Sequence, residues 1–414
     1  MSSFPDDISL PAATLKPGRE KSVLARHPWI FSGALANEPD EPPGSIVDVL
    51  SSNGHFLGRG SYNPNSQIRL RILSFEPMAI DEMYFISRLQ NALNLRSGLS
   101  NTETNCFRVL HSEGDGIPGL IVDKYDRYIC MQFLTAGLDA LKRQAVSAVQ
   151  KIFKPKGIYE RSEGSFRADE GLSPVTGLLD GQEPPDALEV KENSIRLLVN
   201  LKHGQKTGMY LDQRDNRLLL SKISCDKLVL NAFSYSGAFG IHALQGGAKR
   251  VINVDTSCSA LELAKEIIKI NGFPLSDGDF VEMDVFDYLR QANHQADVVV
   301  LDPPAFAKNK KSVANASRGY KDINYQTIRQ LPEEGLLMTF SCSGHISTEL
   351  FQKILFGAAL DAKKEVQLLK RLGTGIDHPV NIYHPEGEYL KGFLCRVNSF
   401  NSIRQKSLLK EDLS

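Results

Sequence analysis

The sequence lacks the features that are typical of membrane proteins, secreted proteins and strongly basic nucleic-acid binders. No apolar run approaches the roughly 18 residues that a transmembrane helix needs. The amino terminus has no basic region followed by an apolar core, so no secretory signal is predicted. The formal net charge of the 414 residues is -1, so overall charge does not indicate nucleic acid. We therefore expect a globular protein of the cytoplasm with no membrane partner.

Cysteine is sparse, and the spacing of the cysteines excludes the common paired motifs. No two of them are spaced as a C-x-x-C metal or redox pair, and a soluble chain of this length needs no disulfide staples. We therefore predict reduced thiols and no metal. The six cysteines are Cys106, Cys130, Cys225, Cys258, Cys342 and Cys395.

A strand, a glycine-bearing turn, a helix and a second strand follow one another over residues 228–255. The second strand ends at Asp255. In a βαβ unit, an acid at this position is placed to bind the ribose hydroxyls of an adenosine cofactor. The segment therefore indicates a nucleoside-bearing cofactor, although an ordinary βαβ crossover without a ligand remains the alternative.

The glycine pattern of a dinucleotide site is absent from this turn. Residues 236–240 read S-G-A-F-G, without the second glycine that lets the backbone approach a pyrophosphate. The bulky Phe239 near the start of the helix suits a cofactor without phosphate. S-adenosylmethionine carries adenosine and ribose but no phosphate, so it is the predicted cofactor.

The order of predicted elements divides the chain into three regions. Short strand-like runs separated by turn residues fill 12–76, whereas strands and helices mix over 77–188. A polar, proline-bearing stretch at 179–186 is the best candidate for a linker. From 189 to 414, strands and helices alternate, which favours a parallel sheet covered on both faces. The predicted fold class is thus α/β, preceded by a small all-β domain and an α+β domain.

Two elements of the first two regions are also predicted individually. The run of 68–73 alternates apolar and basic residues, which predicts a strand with one buried face and one cationic face. An amphipathic helix is expected at 138–153.

Several elements of the last region are predicted individually. A hairpin-like pair is expected at 195–200 and 209–211, and Asp212 is a possible N-cap of the following helix. Strands are then expected at 228–230, 251–254, 297–301 and 336–340, with helices at 257–270 and 322–330.

Polar features recur where the predicted parallel strands end, and ligands bind outside such ends. They are Ser236-Gly237, Asp255, Asp302-Pro303-Pro304 and Ser341-Cys342-Ser343. Their convergence predicts a ligand site. Asp284 adds a fifth position that could accept a hydrogen bond from an adenine amino group, although a simple helix N-cap is the alternative.

Two of these positions point to the chemistry. The rigid turn at 302–304 can hold the Asp302 carboxylate, or a backbone carbonyl, against the edge of a flat base. A thiolate at Cys342 could attack carbon 6 of a pyrimidine, which makes carbon 5 nucleophilic enough to take a methyl group from a sulfonium. The thiol would need a lowered pKa, which a nearby Lys or Arg can provide. The alternative is that Cys342 is a small buried hydrophobe.

Basic residues cluster locally despite the neutral balance. Lys21 and Arg26 belong to an amino-terminal cluster beside Trp29, in a β-rich region that could bind RNA. Lys308 and Lys310 belong to an acid-free basic run that directly follows the turn at 302–304. Solvated surface faces are the alternative for both clusters, and core packing is the alternative for Trp29.

Together, these segments resemble the bacterial class I S-adenosylmethionine-dependent 23S rRNA cytosine-5 methyltransferases. The resemblance covers nearly the whole chain, from the K-P-G-R and H-P-W-I-F segments of 16–31 to the Y-L-K-G segment of 389–392. It also includes residues 205–208, 212–214 and 233–237, the D-P-P-A-F segment of 302–306, and residues 341–343. It implies a PUA domain at 12–76, a central α+β domain at 77–188 and a Rossmann-like catalytic domain at 189–414. A homodimer is often implied as well.

The resemblance also assigns expected roles to individual residues. Cys342 and Asp302 are the expected catalytic residues, acting on rRNA of the large ribosomal subunit. Lys21, Arg26, Trp29, Lys308 and Lys310 are the expected RNA-binding residues. The expected cofactor-binding residues are Gln213, Arg214, Phe233, Ser234, Tyr235, Ser236, Gly237, Asp255, Asp284, Asp302 and Pro303.

Two other functions remain open from the sequence. An RNA exocyclic-amine methyltransferase would use Asp302-Pro303-Pro304 to orient the base, and Cys342 would then be structural. A non-catalytic RNA-binding assembly protein would carry only the fold of the cofactor domain. The acids at 255 and 302 are intact, which argues against a cofactor domain that has lost its activity.

Overall fold

The computed structural model describes residues 10–164, 166–291, 295–307 and 309–400. The chain forms two compact units. The first unit comprises the described residues up to Val190 together with Val199–Leu211 and Ile376–Gly387. The second comprises Lys191–Leu198, Asp212–Gly375 and the described residues from Glu388 onwards. The three-domain division with boundaries at 76 and 188 stays a prediction.

Helices and strands are numbered in chain order over the described residues. The helices are α1 Lys21–Leu24, α2 Glu82–Leu95, α3 Ala136–Ala140, α4 Lys142–Phe153, α5 Phe166–Asp169, α6 Arg214–Ile223, α7 Ala238–Gln245, α8 Cys258–Ile270, α9 Val285–Gln291, α10 Val313–Gln330 and α11 Thr348–Asp361. The strands of the first half are β1 Ala12–Leu15, β2 Trp29–Phe31, β3 Leu35–Asn37, β4 Ile46–Leu50, β5 Phe56–Tyr62, β6 Ile68–Ser74, β7 Cys106–His111, β8 Leu120–Tyr125, β9 Tyr128–Phe133 and β10 Gly157–Ser162. The remaining strands are β11 Val175–Gly181, β12 Leu188–Glu192, β13 Ile195–Val199, β14 Leu228–Ala232, β15 Arg250–Asp255, β16 Phe280–Glu282, β17 Val298–Leu301, β18 Gly335–Ser341, β19 Lys364–Leu372 and β20 Lys391–Ser399.

The amino-terminal part of the first unit is a six-stranded sheet in the order β2-β6-β5-β4-β1-β3. Strand β6 alternates as predicted, with Leu70 and Ile72 buried in the core of the sheet. The opposite face of β6 was expected to be cationic. Arg71 instead pairs with Glu170 at 2.7 Å and Arg69 with Glu38 at 3.1 Å, which reduces the positive charge of that face.

The second sheet of this unit has five strands in the order β11-β10-β9-β8-β7, and α2 and α4 cover it. Two predictions for this region are wrong. The expected helix of 138–153 is interrupted at Leu141, whose ψ of 10° ends α3 before α4 begins. The expected linker of 179–186 begins inside the edge strand β11, which pairs with β10. Most positions of an exposed edge strand lie outside the core, so its sequence shows no clear apolar alternation.

The second unit contains a seven-stranded sheet in the order β16-β15-β14-β17-β18-β20-β19. The pairs from β16 to β18 are parallel, whereas β20 is antiparallel to both of its neighbours. All four residues of Val298–Leu301 are buried, as expected for a strand covered on both faces. The four predicted strands of this region are confirmed, and so is the α/β fold class.

The predicted hairpin is misplaced. Strand β13 pairs with β12, and the turn between them places Asn193 and Ser194 in the left-handed region, at φ of 51° and 68°. Two left-handed residues form the two-residue turn that matches the twist of a hairpin. Residues 209–211 form no strand. Just before them, Gln205 and Gly208 form an isolated antiparallel bridge.

A buried ion pair stabilises the second unit. Arg217 donates to both carboxylate oxygens of Glu192, at 2.6 and 2.7 Å, and His242 Nε2 lies 3.3 Å from the same carboxylate. Burial alone would raise the pKa of Glu192. The charge of Arg217 and the close contact with the His242 imidazole outweigh burial, and they lower this pKa to about 2. The pair should therefore lose strength only in strong acid.

Removal of one partner should destabilise this unit strongly. We expect Glu192→Gln to reduce the free energy of unfolding by about 3–5 kcal/mol at neutral pH, because it leaves Arg217 buried without its counter-ion. The contribution of Glu192 should be present above its unfolded pKa, near 4.5, and lost as the pH falls towards 2. Urea unfolding of both proteins between pH 7 and pH 3 measures this. The control Glu262→Gln removes an exposed pair with Lys265 and should change stability by less than about 0.5 kcal/mol. An equally small effect of Glu192→Gln would contradict the prediction.

Candidate active site

The carboxyl ends of the parallel strands of the second unit form one edge of the sheet. Strand β14 lies between β15 and β17, so the chain order reverses beside it. Ala232 is in register with Val254 and with Leu301, so the residues that follow these three strands begin at the same level. Such a reversal point is where open α/β sheets bind their ligands.

The turn after β14 has an unusual backbone. Phe233 and Tyr235 adopt left-handed conformations, with φ of 59° and 46°, and Gly237 follows at 70°. A left-handed conformation costs on the order of 1–3 kcal/mol at a bulky residue, and such residues concentrate at ligand sites. Within the turn, the Ser234 amide donates to the Val254 carbonyl at 3.0 Å. The strained backbone is therefore consistent with the prediction that this turn belongs to a ligand site.

Asp255 holds this turn in place. Its two carboxylate oxygens accept hydrogen bonds from the backbone amides of Tyr235 and Ser257, at 2.8 and 2.9 Å. Each carboxylate oxygen has two acceptor sites, so Asp255 retains capacity for ribose hydroxyls. The buried Ser234 Oγ has no hydrogen-bond partner among the described residues. An available carboxylate beside an unsatisfied hydroxyl fits an adenosine-bearing cofactor.

Packing also explains the glycine of this turn. A Cβ at Gly237 would lie 2.7 Å from the Cβ of Ala264 on α8, apart from the cost of its left-handed φ. Gly237 therefore lets α7 begin close to the neighbouring helix. Its neighbour Ser236 is buried.

Asp302 is positioned by a chain of amides. Gln213 Nε2 donates to Asp302 Oδ1 at 3.0 Å, and Asn216 Nδ2 donates to Gln213 Oε1 at 2.6 Å. Asn216 fixes which end of the Gln213 amide points at the carboxylate. The structure thus brings two of the predicted residues together, and it adds Asn216, which no sequence motif marked.

The residues next to Gln213 are also buried. Arg214 begins α6, and its Nε lies 3.1 Å from Asp215 Oδ1. The prediction that Asp212 caps α6 is wrong, because Gln213 is the N-cap residue and no side chain caps the helix. Asp212 instead accepts a hydrogen bond from the Tyr389 hydroxyl at 2.6 Å, a contact between distant parts of the sequence.

Asp284 caps a helix. Its Oδ1 accepts hydrogen bonds from the amides of Phe286 and Asp287, at 2.8 and 3.2 Å, at the start of α9. The N-cap alternative is therefore what the structure shows. A contact of the exposed Asp284 with adenine stays a prediction.

Cys342 follows β18 directly and lies half-buried against the turn after β17. Its thiol donates to the Pro303 carbonyl at 3.7 Å. The neighbouring Ser343 hydroxyl lies 3.0 Å from the Tyr320 hydroxyl and accepts from the Ala307 amide at 3.1 Å. The cysteine and the Asp302-Pro303-Pro304 turn therefore meet at one place, as expected from their positions after neighbouring strands.

Three half-buried phenylalanine rings and the buried ring of Tyr320 lie at the same edge of the sheet. The Phe233 ring is 6.4 Å from the rings of both Phe286 and Phe306, and Phe306 is 4.6 Å from Tyr320. Rings of this kind can receive a flat base. Phe306 belongs to the D-P-P-A-F segment, whereas Phe286 and Tyr320 carried no sequence signal.

The predicted RNA-binding residues have different surroundings. Lys21 and Lys310 are exposed, and the exposed Arg26 guanidinium lies 4.7 Å from the centre of the Phe75 ring. Trp29 donates through Nε1 to Glu113 at 2.9 Å and packs its ring 4.4 Å from that of His384. These contacts favour an anchoring role for Trp29 over base stacking. Lys308 lies outside the described residues.

Membrane-spanning helices and metal clusters are both absent from the described part of the chain. In residues 10–164, 166–291, 295–307 and 309–400, none of the helices combines the length and the apolar character that crossing a membrane requires. Over the same ranges, no group of three or more His, Cys, Asp or Glu side chains is arranged to hold a metal ion.

Comparison with known proteins gives the family. Residues 13–75 match a PUA-like domain, and residues 166–347 match the S-adenosylmethionine-dependent methyltransferase family. Ribosomal RNA large subunit methyltransferase I of Klebsiella pneumoniae subsp. pneumoniae is 44% identical over 397 residues, which cover 94% of this chain and 99% of the relative. The protein of the same name from Escherichia coli O157:H7 is 44% identical over 389 residues, with 92% and 98% covered.

Solved structures agree with this assignment. The methyltransferase SMU.776, crystallised with SAH, superposes with a TM-score of 0.82 at 25% identity, covering 94% of this chain and 100% of that one. An S-adenosylmethionine-dependent methyltransferase from Streptococcus mutans has the same fold, with a TM-score of 0.80 at 24% identity. The predicted cofactor, S-adenosylmethionine, is confirmed. The chain therefore belongs to the ribosomal RNA large subunit methyltransferase I family of S-adenosylmethionine-dependent methyltransferases.

Proposed function

We propose that the protein methylates carbon 5 of a cytosine in 23S rRNA, with Cys342 as a covalent nucleophile. The observation that carries this proposal is the contact of the Cys342 thiol with the Pro303 carbonyl. A half-buried thiol thus lies beside a rigid turn at the carboxyl ends of the parallel strands, where open α/β sheets bind ligands. The names of the relatives support rRNA of the large ribosomal subunit as the partner.

The cofactor would be held by the turn after β14 and by the acids that follow the neighbouring strands. Asp255 would accept from the ribose hydroxyls, and the Ser234 hydroxyl would gain a partner. When bound, S-adenosylmethionine supplies an electrophilic methyl group. The other expected contacts are Gln213, Arg214, Phe233, Tyr235, Ser236, Gly237, Asp284, Asp302 and Pro303.

Cys342 would activate the base. Its thiolate forms a bond to carbon 6 of the cytosine, and the electron pair of the 5,6 double bond moves to carbon 5. Carbon 5 becomes the nucleophile that accepts the methyl group. A base then takes the proton from carbon 5, which restores the double bond and expels the Cys342 sulfur as a thiolate, so Cys342 is regenerated.

Asp302 would orient the cytosine. An ionised carboxylate can accept hydrogen bonds but cannot donate them, and the exocyclic amine of cytosine is a donor. The two groups are therefore complementary. The bond from Gln213 fixes the direction of this carboxylate. The rings of Phe286 and Phe306 border the same edge and offer faces for the base.

Exocyclic-amine methylation is the second candidate. A carboxylate that accepts from the amine, beside half-buried aromatic rings, would also suit this reaction, and Cys342 would then be structural. Nucleoside mass spectrometry separates the two. RNA from a strain lacking the protein should gain 5-methylcytosine when the purified protein and S-adenosylmethionine are added. A gain of an N-methylated base instead would replace the proposal with the second candidate.

The proposed function extends to the domains, the compartment and the assembly. The domains would be a PUA RNA-binding domain at 12–76, a central domain at 77–188 and a catalytic domain at 189–414. The protein would act in the cytoplasm, where its rRNA substrate is made, and the homodimer implied by the family resemblance stays a prediction.

The lysines near the turn at 302–304 should contribute electrostatic affinity for RNA. We expect the double substitution Lys310→Ala, Lys311→Ala to weaken RNA binding and to reduce the slope of log affinity against log salt by about 1 for each phosphate that is no longer neutralised. Filter binding between 50 and 200 mM salt measures this. The matched control is Lys227→Ala with Lys249→Ala, because these exposed lysines precede β14 and β15 at the opposite edge of the sheet. Equal slopes for the two double variants would contradict the assignment.

A further inference from the structure

Lys391 lies in the interior of the second unit, at the first position of β20. Only 4% of its surface is exposed. It is in register with Ser341 on β18, and its Nζ donates to the Ser343 carbonyl at 2.8 Å. The amine is therefore fixed against the segment that carries Cys342, since Lys391 pairs with the residue before the cysteine and bonds to the residue after it.

The ammonium form of Lys391 would be stabilised by a nearby anion. Across the described residues, the Lys391 amine forms no ion pair with a carboxylate within 4.0 Å. A buried ammonium without a counter-ion is costly, because a carbonyl bond replaces only part of its hydration. Burial lowers the pKa of Lys391, while Glu388 and Cys342 act in the opposite sense. Cys342 is thus a neighbour whose negative form would stabilise the ammonium.

A hydroxyl, a carbonyl and a carboxylate are other groups near this segment of the described chain. The Tyr320 hydroxyl reaches Ser343 from α10, and burial raises the pKa of Tyr320, so this group stays neutral. Asp302 stands one residue before Pro303, whose carbonyl accepts from the thiol. A carboxylate and a carbonyl both disfavour a thiolate. A cation is required to offset them.

We propose that Lys391 is the positioning residue that holds Cys342 as a thiolate, an inference that rests on the proposed nucleophilic role of Cys342. A proton leaves Sγ of Cys342 and binds the neutral Nζ of Lys391, so a thiol and an amine become a thiolate and an ammonium with no change in total charge. The thiolate then attacks carbon 6. When the carbon–sulfur bond breaks, the thiolate forms again beside the ammonium.

A role in positioning the thiolate and a purely structural role predict different effects of replacing Lys391. A lysine kept for stability would be needed for folding. A buried ammonium carries a desolvation cost, so its replacement by a neutral side chain of similar length need not destabilise the protein. Lys391→Gln keeps a donor for the Ser343 carbonyl and removes the charge, so it should fold and bind S-adenosylmethionine as the wild type does.

The test measures the reactivity of Cys342 towards iodoacetamide as a function of pH. Peptide mass spectrometry quantifies the Cys342 peptide alone, because the exposed Cys225 and Cys258 will react with the reagent as well. In Lys391→Gln the midpoint of the rate profile should move upwards by about one pH unit or more, which is roughly a tenfold loss of thiolate at neutral pH. Lys391→Arg keeps the charge and should restore part of the rate. The matched control Lys364→Met removes a half-buried lysine of β19 that also donates to a carbonyl, and its profile should equal that of the wild type.

The outcomes separate this inference from the proposed function. A wild-type profile in Lys391→Gln would overturn the role of Lys391. Should Lys391→Gln fail to bind S-adenosylmethionine, Lys391→Met provides the same measurement, and an unshifted profile there overturns the role equally. A shifted profile combined with no RNA adduct in the wild type would overturn the nucleophilic role of Cys342 while the effect of Lys391 on the thiol stands.

Discussion

Cys342→Ala is expected to reduce methyl transfer to RNA by roughly 10⁴- to 10⁶-fold, the range found when a covalent nucleophile is removed. No other thiol meets the Asp302-Pro303-Pro304 turn in the contacts of the described residues. The affinity for S-adenosylmethionine should stay within about twofold, because the thiol acts on the base and Asp255 lies at the end of a different strand. Single-turnover methylation with a labelled methyl group measures the rate, and calorimetry measures the affinity.

Two other cysteines of the same unit are the controls. Cys258 is exposed at the start of α8, and Cys395 is buried in β20, where burial raises its pKa to about 12. Replacement of Cys258 by alanine should leave the rate nearly unchanged, and Cys395→Ala should affect stability more than rate. Near-normal turnover in Cys342→Ala would transfer the central role to Asp302 and to amine methylation.

Asp255→Ala is expected to weaken binding of S-adenosylmethionine by roughly 10- to 150-fold. The range corresponds to the loss of about 1.5–3 kcal/mol for hydrogen bonds that a charged acceptor makes to the ribose hydroxyls. The substitution also frees the amide of Tyr235, so the strained turn after β14 would lose a constraint. Isothermal titration calorimetry measures the dissociation constant directly.

Asp279→Ala is the matched control for Asp255. Asp279 precedes β16 and pairs with Arg250 at the start of β15, so it lies at the amino ends of the strands, away from the site. Its loss should leave the affinity unchanged. A wild-type affinity in Asp255→Ala, or an equal loss in Asp279→Ala, would remove the assignment of Asp255 to the ribose.

The catalytic sheet was predictable because buried parallel strands have a distinctive sequence. Every residue of Val298–Leu301 is buried, so the strand is a continuous apolar run, and its end is marked by Asp302. The same logic placed Asp255 and Cys342. Strand ends on one edge must lie close together, so the convergence of the site followed from the order of the strands.

Contacts between distant parts of the sequence were not predictable. Lys391 and Ser343 are 48 positions apart, and only the antiparallel pairing of β20 with β18 brings the lysine to the cysteine. Trp29 was interpreted as an RNA contact because it stands among basic residues. Its bond to Glu113, 84 positions away, could not be inferred from composition.

Local errors came from turns and caps that allow more than one interpretation. Asp212 precedes a helix, as an N-cap does, but the Tyr389 hydroxyl engages its carboxylate. The glycine-rich stretch of 203–208 resembles a hairpin loop more closely than Asn193-Ser194 does. Asn193 and Ser194 nevertheless form the turn between β12 and β13, since both residues adopt the left-handed conformation.

The most direct test of covalent catalysis by Cys342 is the covalent complex itself. The wild-type protein should be incubated with S-adenosylmethionine and 23S rRNA fragments that contain 5-fluorocytosine, and the digested complex analysed by mass spectrometry. Fluorine at carbon 5 blocks the final elimination, so we expect a stable adduct on the peptide that contains Cys342 and none in Cys342→Ala. Full methylation of normal RNA with no adduct on Cys342 would contradict the proposed mechanism.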